Sequence, residues 1–152
     1  MRAVALAAAA AAALLAGCGG SSNGDIPTTA LLTGVHVAAD HVTFEFKSAP
    51  RDVRTRYQPK WQIVESGSGR PVPLQGKAYV VIHFVPGATA DFQGEQVVPT
   101  YTGPRRLSGP GPVLETAKTS DFEADLAWAI GLERRLPFRV AQSGTTVTVS
   151  FG

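Results

Sequence analysis

The chain has 152 residues, 44% of them hydrophobic, and 14 basic against 12 acidic side chains leave a formal net charge of +2. A balance this even excludes the broad attraction to nucleic acid or anionic lipid that a strongly basic protein shows. The length suits one domain with a real core, and a single cysteine in the whole chain means that no internal disulfide can staple it.

The first element is a leader. Arg2 precedes an unbroken run of Ala, Val and Leu from Ala3 to Ala16, which closes in Leu15-Ala16-Gly17-Cys18. A charged start, an apolar stretch too short to span a bilayer of about 30 Å, and a small-residue ending make a secretory signal. The Leu-Ala-Gly-Cys ending resembles the lipobox of bacterial lipoproteins. That resemblance implies cleavage before Cys18, diacylation of its sulfur and acylation of the new amino terminus. Residues 1–17 are then a signal peptide; the alternative is an ordinary signal with an incidental cysteine. Two or more acyl chains hold a protein stably to a membrane where one holds it reversibly, so Cys18 is expected to anchor the exported chain to the outer face of the cell membrane. Residues 18–30, which include Gly19-Gly20-Ser21-Ser22-Asn23-Gly24, are read as a flexible tether.

Residues 31–152 are read as one domain. Eleven prolines and sixteen glycines punctuate short apolar runs, which argues for many strands and turns over long helices. Leu32 to Ala38 and His41 to Lys47 are expected strands, the second alternating cleanly with Val42, Phe44 and Phe46 on one face. Arg51 to Tyr57 alternates too, and Trp61 to Glu65 follows as a further strand before the Ser66-Gly67-Ser68-Gly69 turn. Ala78 to Val85, dominated by β-branched and aromatic residues, is expected to be central. Residues 87–112 read as a loop-rich excursion, Val113 to Thr119 as a weak strand, and Asp125 to Leu132, Pro137 to Gln142 and Thr145 to Phe151 as three more. Ser120-Asp121-Phe122-Glu123 has the form of a capping box, and Phe122, Leu126 and Ile130 fit one helix face. Leu126, Trp128, Ile130 and Leu132 also alternate, and Gly131 weakens a helix, so a strand is favoured over residues 120–130. Eight to ten short strands at this spacing predict an all-β, antiparallel β-sandwich or barrel.

Four stretches carry a resemblance: Tyr101-Thr102-Gly103-Pro104-Arg105-Arg106-Leu107, Asp121-Phe122-Glu123, Leu126-Ala127-Trp128-Ala129-Ile130-Gly131-Leu132 and Arg134-Arg135-Leu136-Pro137-Phe138-Arg139-Val140. Together they are similar to the AMIN-like domain of actinobacterial lipoproteins, over roughly residues 32–151. His41 and Thr43 depart mildly from the family's usual charged early strand. The resemblance implies an antiparallel β-sandwich and a place in the cell envelope. The related AMIN domain proper directs wall amidases and secretins to the envelope through peptidoglycan. No catalytic residue is carried over.

The candidate ligand-binding residues are Arg105, Arg106, Tyr101, Trp128, Arg134 and Arg135, with Arg139 nearby. Guanidinium forks match the carboxylates of peptidoglycan stems and the acidic groups of uronic or phosphorylated wall polymers. Tyr and Trp faces stack on sugar rings. Trp128 alternates with Leu126 and Ile130, however, which equally describes a core residue. Arg134-Arg135 equally describes a solvated turn, or one paired with Glu133, Asp121 or Glu123. His36, His41 and His83 lack the spacing of a metal site, and Glu115, Glu123 and Asp125 are an unspecific source of a catalytic carboxylate pair. Neither a Gly-x-Ser-x-Gly elbow nor a glycine-rich phosphate loop is present. The chain is therefore read as noncatalytic, without cofactor or metal, bound to the membrane by lipid and to peptidoglycan or another envelope polymer. An adaptor that recruits an envelope enzyme or secretion component through an exposed sheet edge is the alternative. A carrier of small apolar ligands is a third possibility.

Overall fold

The computed structural model describes residues 28–152. The expected signal, the acylated Cys18 and tether residues 19–27 lie outside the described residues. Two five-stranded sheets face each other. The first holds β1 (Ala30–Val37), β2 (His41–Phe46), β5 (Gly87–Ala88), β11 (Phe138–Ser143) and β12 (Thr146–Phe151), in the order β11-β12-β2-β1-β5. The second runs β3-β4-β10-β9-β8 from β3 (Asp52–Gln58), β4 (Ala78–Val85), β8 (Arg106–Ser108), β9 (Val113–Phe122) and β10 (Asp125–Leu132). Every pairing is antiparallel except β1 with β5. A separate hairpin, β6 (Ala90–Gln93) and β7 (Gln96–Pro99), leaves the body with Phe92, Val97 and Val98 exposed.

The core between the sheets follows from the alternation. Val42, Phe44 and Phe46 of β2 point inward beside Val147, Val149 and Phe151 of β12, since Val42 registers with Val149 and Phe44 with Val147. Opposite them stand Val80, Ile82 and Phe84 of β4, and Leu126, Trp128 and Ile130 of β10. Phe84 meets Phe44 and Phe46 at ring separations of 5.1 and 4.7 Å, both edge-on. Such pairs add about 0.5–1.5 kcal/mol beyond the area they bury.

Sheet two is buried on its other face as well. Tyr79, Val81, Ala117, Ala127 and Ala129 point away from the first core and pack beneath Ile63 and Leu74. Those two residues come from the strap that crosses this face between β3 and β4. Burial on both sides explains why β4 and β10 read as near-continuous apolar runs.

Three expectations need correction. The strand expected at Trp61 to Glu65 is a 3-10 turn at Lys60–Gln62 followed by an isolated bridge from Val64 to Pro71, and Trp61 is 77% exposed. The weak strand at Val113 to Thr119 is instead the ten-residue β9, the longest of all. Its polar residues disguised it: Thr116, Thr119, Ser120 and Glu115 are buried, and Thr116 Oγ1 donates to the Ala129 carbonyl at 3.0 Å. The strand favoured over residues 120–130 is borne out, with the capping-box residues ending β9 and entering a tight turn into β10. Glu123 and Ala124 take φ of 50° and 60°, the positive pair that joins two twisted strands. The loop-rich excursion contains β5, the β6–β7 hairpin and β8.

Candidate functional site

The strap gives the outer face of sheet two its relief. It descends from the 3-10 turn through Ile63, doubles back at Ser66 to Gly69, and returns through Val72 and Leu74. The doubling is held by Glu65 N–H to Arg70 O at 2.8 Å and Val72 N–H to Ile63 O at 2.9 Å. Between this strap and the β8–β9 edge lies a groove of about 350 Å³, lined by Glu65, Arg70, Pro71, Val72, Pro73, Arg105, Arg106, Ala117 and Lys118. Four of these nine residues are cations.

Glu65 organises the groove. Its carboxylate accepts from Ser68 Oγ at 2.8 Å, Arg105 at 2.9 Å and Arg70 at 3.0 Å. The hydrogen bonds from Ser68, Arg105 and Arg70, in that order, lower its pKa to about 2. The two arginines stay 66% and 78% exposed at the side chain. A guanidinium carries five N–H donors, and each spends only part of that set on Glu65, so both keep donors aimed at solvent.

Arg106 is differently placed. It donates to Glu115 at 2.8 Å, and the Glu115 side chain is only 5% exposed. The other Glu115 oxygen accepts from the Gln75 N–H at 2.9 Å. This buried carboxylate therefore pins the strap to β9, and Arg106 is part of the latch. Lys118 reaches Asp121 at 3.0 Å. Burial pushes the Asp121 pKa up, but hydrogen bonds from Thr89 and Lys118 outweigh it and hold the group below its ordinary value.

The predicted site residues separate into three places. Arg105 and Arg106 share the groove. Tyr101 and Trp128 belong to the core: Trp128 is 0% exposed, and Tyr101 is half-buried edge-on against it at 5.7 Å, donating from its hydroxyl to the Pro104 carbonyl at 2.8 Å. With no face open to solvent, Trp128 offers no platform for a sugar and leaves the ligand set. Burial also raises the Tyr101 pKa. Arg134 and Arg135 follow β10 at the end of the sandwich, where Arg134 lies 3.8 Å from Glu133 and Arg135 stacks 3.9 Å over the Tyr57 ring. Arg139 sits on the edge strand β11. Sequence reasoning missed Arg70 and Lys118, because the strap that brings Arg70 beside Arg105 has no local signature.

The histidines each have a carboxylate of their own. His36 lies 3.4 Å from Glu45, His41 lies 2.7 Å from Asp40, and His83 lies 2.9 Å from Asp125. Among the described residues no three His, Cys, Asp or Glu side chains gather. Glu115 stands in the latch, Glu123 in the β9–β10 turn, and Asp125 just after that turn beside His83. Among the described residues no helix is long and apolar enough to cross a membrane.

No curated protein and no solved structure matches the chain. The AMIN-like domain matches it over residues 27–149, a span that takes in both sheets, the strap and the groove, and the chain therefore belongs to the AMIN-like domain family.

Proposed function

We propose that this protein is a noncatalytic binding module of the cell envelope, lipid-anchored through Cys18, whose groove takes carboxylates of peptidoglycan. The observation that carries this reading is the Glu65 cluster: two exposed arginines held in fixed directions with unspent donors. Holding them beforehand lowers the ordering cost that a ligand would otherwise meet. Bidentate pairing of a planar carboxylate with a guanidinium adds direction to charge. Family membership and the β-sandwich support an envelope role.

Co-sedimentation of the full chain in nonionic detergent with purified sacculi tests it. The wild type is expected to sediment, and soluble muropeptides are expected to displace it. Arg70→Ala with Arg105→Ala should weaken binding about tenfold, as expected for two charge-assisted contacts. These two are better probes than Arg106, whose loss strips a partner from buried Glu115. Unchanged sedimentation of the double variant would remove the groove from the reading. The anchor has its own test: metabolic labelling with an alkyne fatty acid should tag the wild type and leave Cys18→Ala unlabelled.

A second reading rests on β11. It is the edge of sheet one, and five of its six residues are exposed. An unpaired edge accepts an added strand, which would make the domain an adaptor for an envelope protein. Muropeptides would not displace such a partner, whereas a proline placed at Val140 would.

A further inference from the structure

The groove does not end at Arg106. It adjoins a hollow of about 660 Å³ along the strap, with which it shares Arg106 and the stretch Pro71 to Pro73. That hollow in turn shares Lys60 and Gly76 with a basin of about 720 Å³ at the start of β4. The basin holds Lys60, Lys77 and Arg135 beside Tyr57 and Tyr79.

Charge differs along this path. The acids that face its cations, Glu65, Glu115 and Asp121, all stand at the Arg105 end. Among the described residues Lys60, Lys77 and Arg135 make no ion pair. Arg135 rests on the Tyr57 ring and Lys60 lies 6.0 Å from the centre of the Tyr79 ring, contacts that orient a cation without neutralising it. Both tyrosine hydroxyls are engaged internally: Tyr57 donates to the Leu136 carbonyl and Tyr79 to that of Gly76. What the basin presents is therefore positive charge. Pro71, Val72, Pro73 and Leu74 line the stretch between the two charged ends with mostly apolar surface.

We infer that the strap is a track for a linear polyanion, with anionic groups held at the Arg105 end and in the Lys60–Lys77–Arg135 basin, and the polymer's uncharged backbone lying across the proline-rich middle. The ligand class is a wall polymer with repeated phosphodiester or uronate groups. This deepens the envelope-binding reading and rests on it, but assigns the basin a ligand that a lone stem-peptide carboxylate would not fill.

The test measures binding of the full chain in detergent to three immobilised polymers, a polyol phosphate, a polyuronate and neutral dextran, across a salt series. Binding to a polyanion but not to dextran is expected, weakening steeply with salt as counterions are released. Lys60→Ala with Lys77→Ala should weaken it about tenfold and flatten the salt dependence, while muropeptide binding at the groove stays unchanged. Among the described residues neither lysine has an ion-pair partner to strand, so a melting curve matching the wild type is expected as the folding control. Whether the polyol phosphate or the polyuronate binds identifies the anionic group. Polyanion binding that ignores the lysine pair, or binding to neither polyanion, overturns the track. Loss of muropeptide binding with polyanion binding intact would overturn the peptidoglycan reading and leave the track standing.

Discussion

Glu65 sets two testable properties of the groove. Its pKa in the folded chain, about 2, lies below the ordinary 4.5. A depressed carboxylate contributes stability that is complete above its unfolded pKa and is lost as pH falls through the folded one. Stability should therefore decline between about pH 4.5 and about 2, and Glu65→Gln should flatten that part of the pH profile in chemical denaturation. The same substitution releases Arg70 and Arg105 from the carboxylate that holds them in place, so muropeptide affinity at pH 7 should fall several-fold, read by calorimetry. A rise would mean that Glu65 competes with the ligand for the arginines more than it orders them. Trp128 belongs to a different class of residue. Its buried Nε1 finds no partner among the described residues, a cost of about 1–3 kcal/mol that the surrounding packing outweighs. Trp128→Ala should destabilise by about 3–5 kcal/mol. Trp61→Ala, at an exposed position, should change stability by no more than about 0.5 kcal/mol in the same denaturant titration. The alternation of Leu126, Trp128 and Ile130 carries the core role in the sequence itself. The Arg70–Glu65–Arg105 arrangement is not legible there, because Arg105, 40 residues from Glu65 in the chain, meets the strap's own Glu65–Arg70 pair only after the strap docks.

The strap is the element on which the site depends, and small residues let it dock. A Cβ on Gly131 would lie 1.8 Å from the Gln75 carbonyl oxygen, and β9 and β10 present Ala117, Ala127 and Ala129 beneath Ile63 and Leu74. Gly131→Ala should therefore lift the strap, at a cost of about 1–3 kcal/mol typical of overpacking. In hydrogen exchange the Glu65 and Val72 amides, which bond within the strap, should lose protection while the β10 amides keep theirs. Uniform loss across both would mean that strap and sheet unfold as one unit. The strap's order comes almost wholly from this tertiary contact, which is why Trp61 to Glu65 passes for a strand in the sequence. β9 was obscured for the opposite reason: its buried Thr116 and Glu115 are satisfied by hydrogen bonds that periodicity does not register.

At the scale of the whole molecule, the sandwich is legible in the sequence because turn residues separate alternating runs, and the family resemblance points the same way. The strand order is not. β12 closes sheet one by pairing with β2, so that Val149 lies against Val42 across most of the chain. Such non-local closure is slow, and refolding from denaturant should take milliseconds to seconds, followed by stopped-flow fluorescence of Trp128. Microsecond refolding would show that local hairpins carry more of the barrier than the topology indicates. The same topology gives the molecule a mechanical axis. The chain joins β1 at Ala30, whose N–H bonds the Pro86 carbonyl just past the end of β4, while the Lys60–Lys77 basin flanks the beginning of β4. The eight residues of β4 set these points roughly 25 Å apart at about 3.3 Å per residue. Under the proposed anchoring and wall-polymer binding, tension between these two points would run along the strands. Ladder hydrogen bonds lie across that direction, so those joining β1 to β2 bear the load together, in shear, and none can be unzipped ahead of the rest.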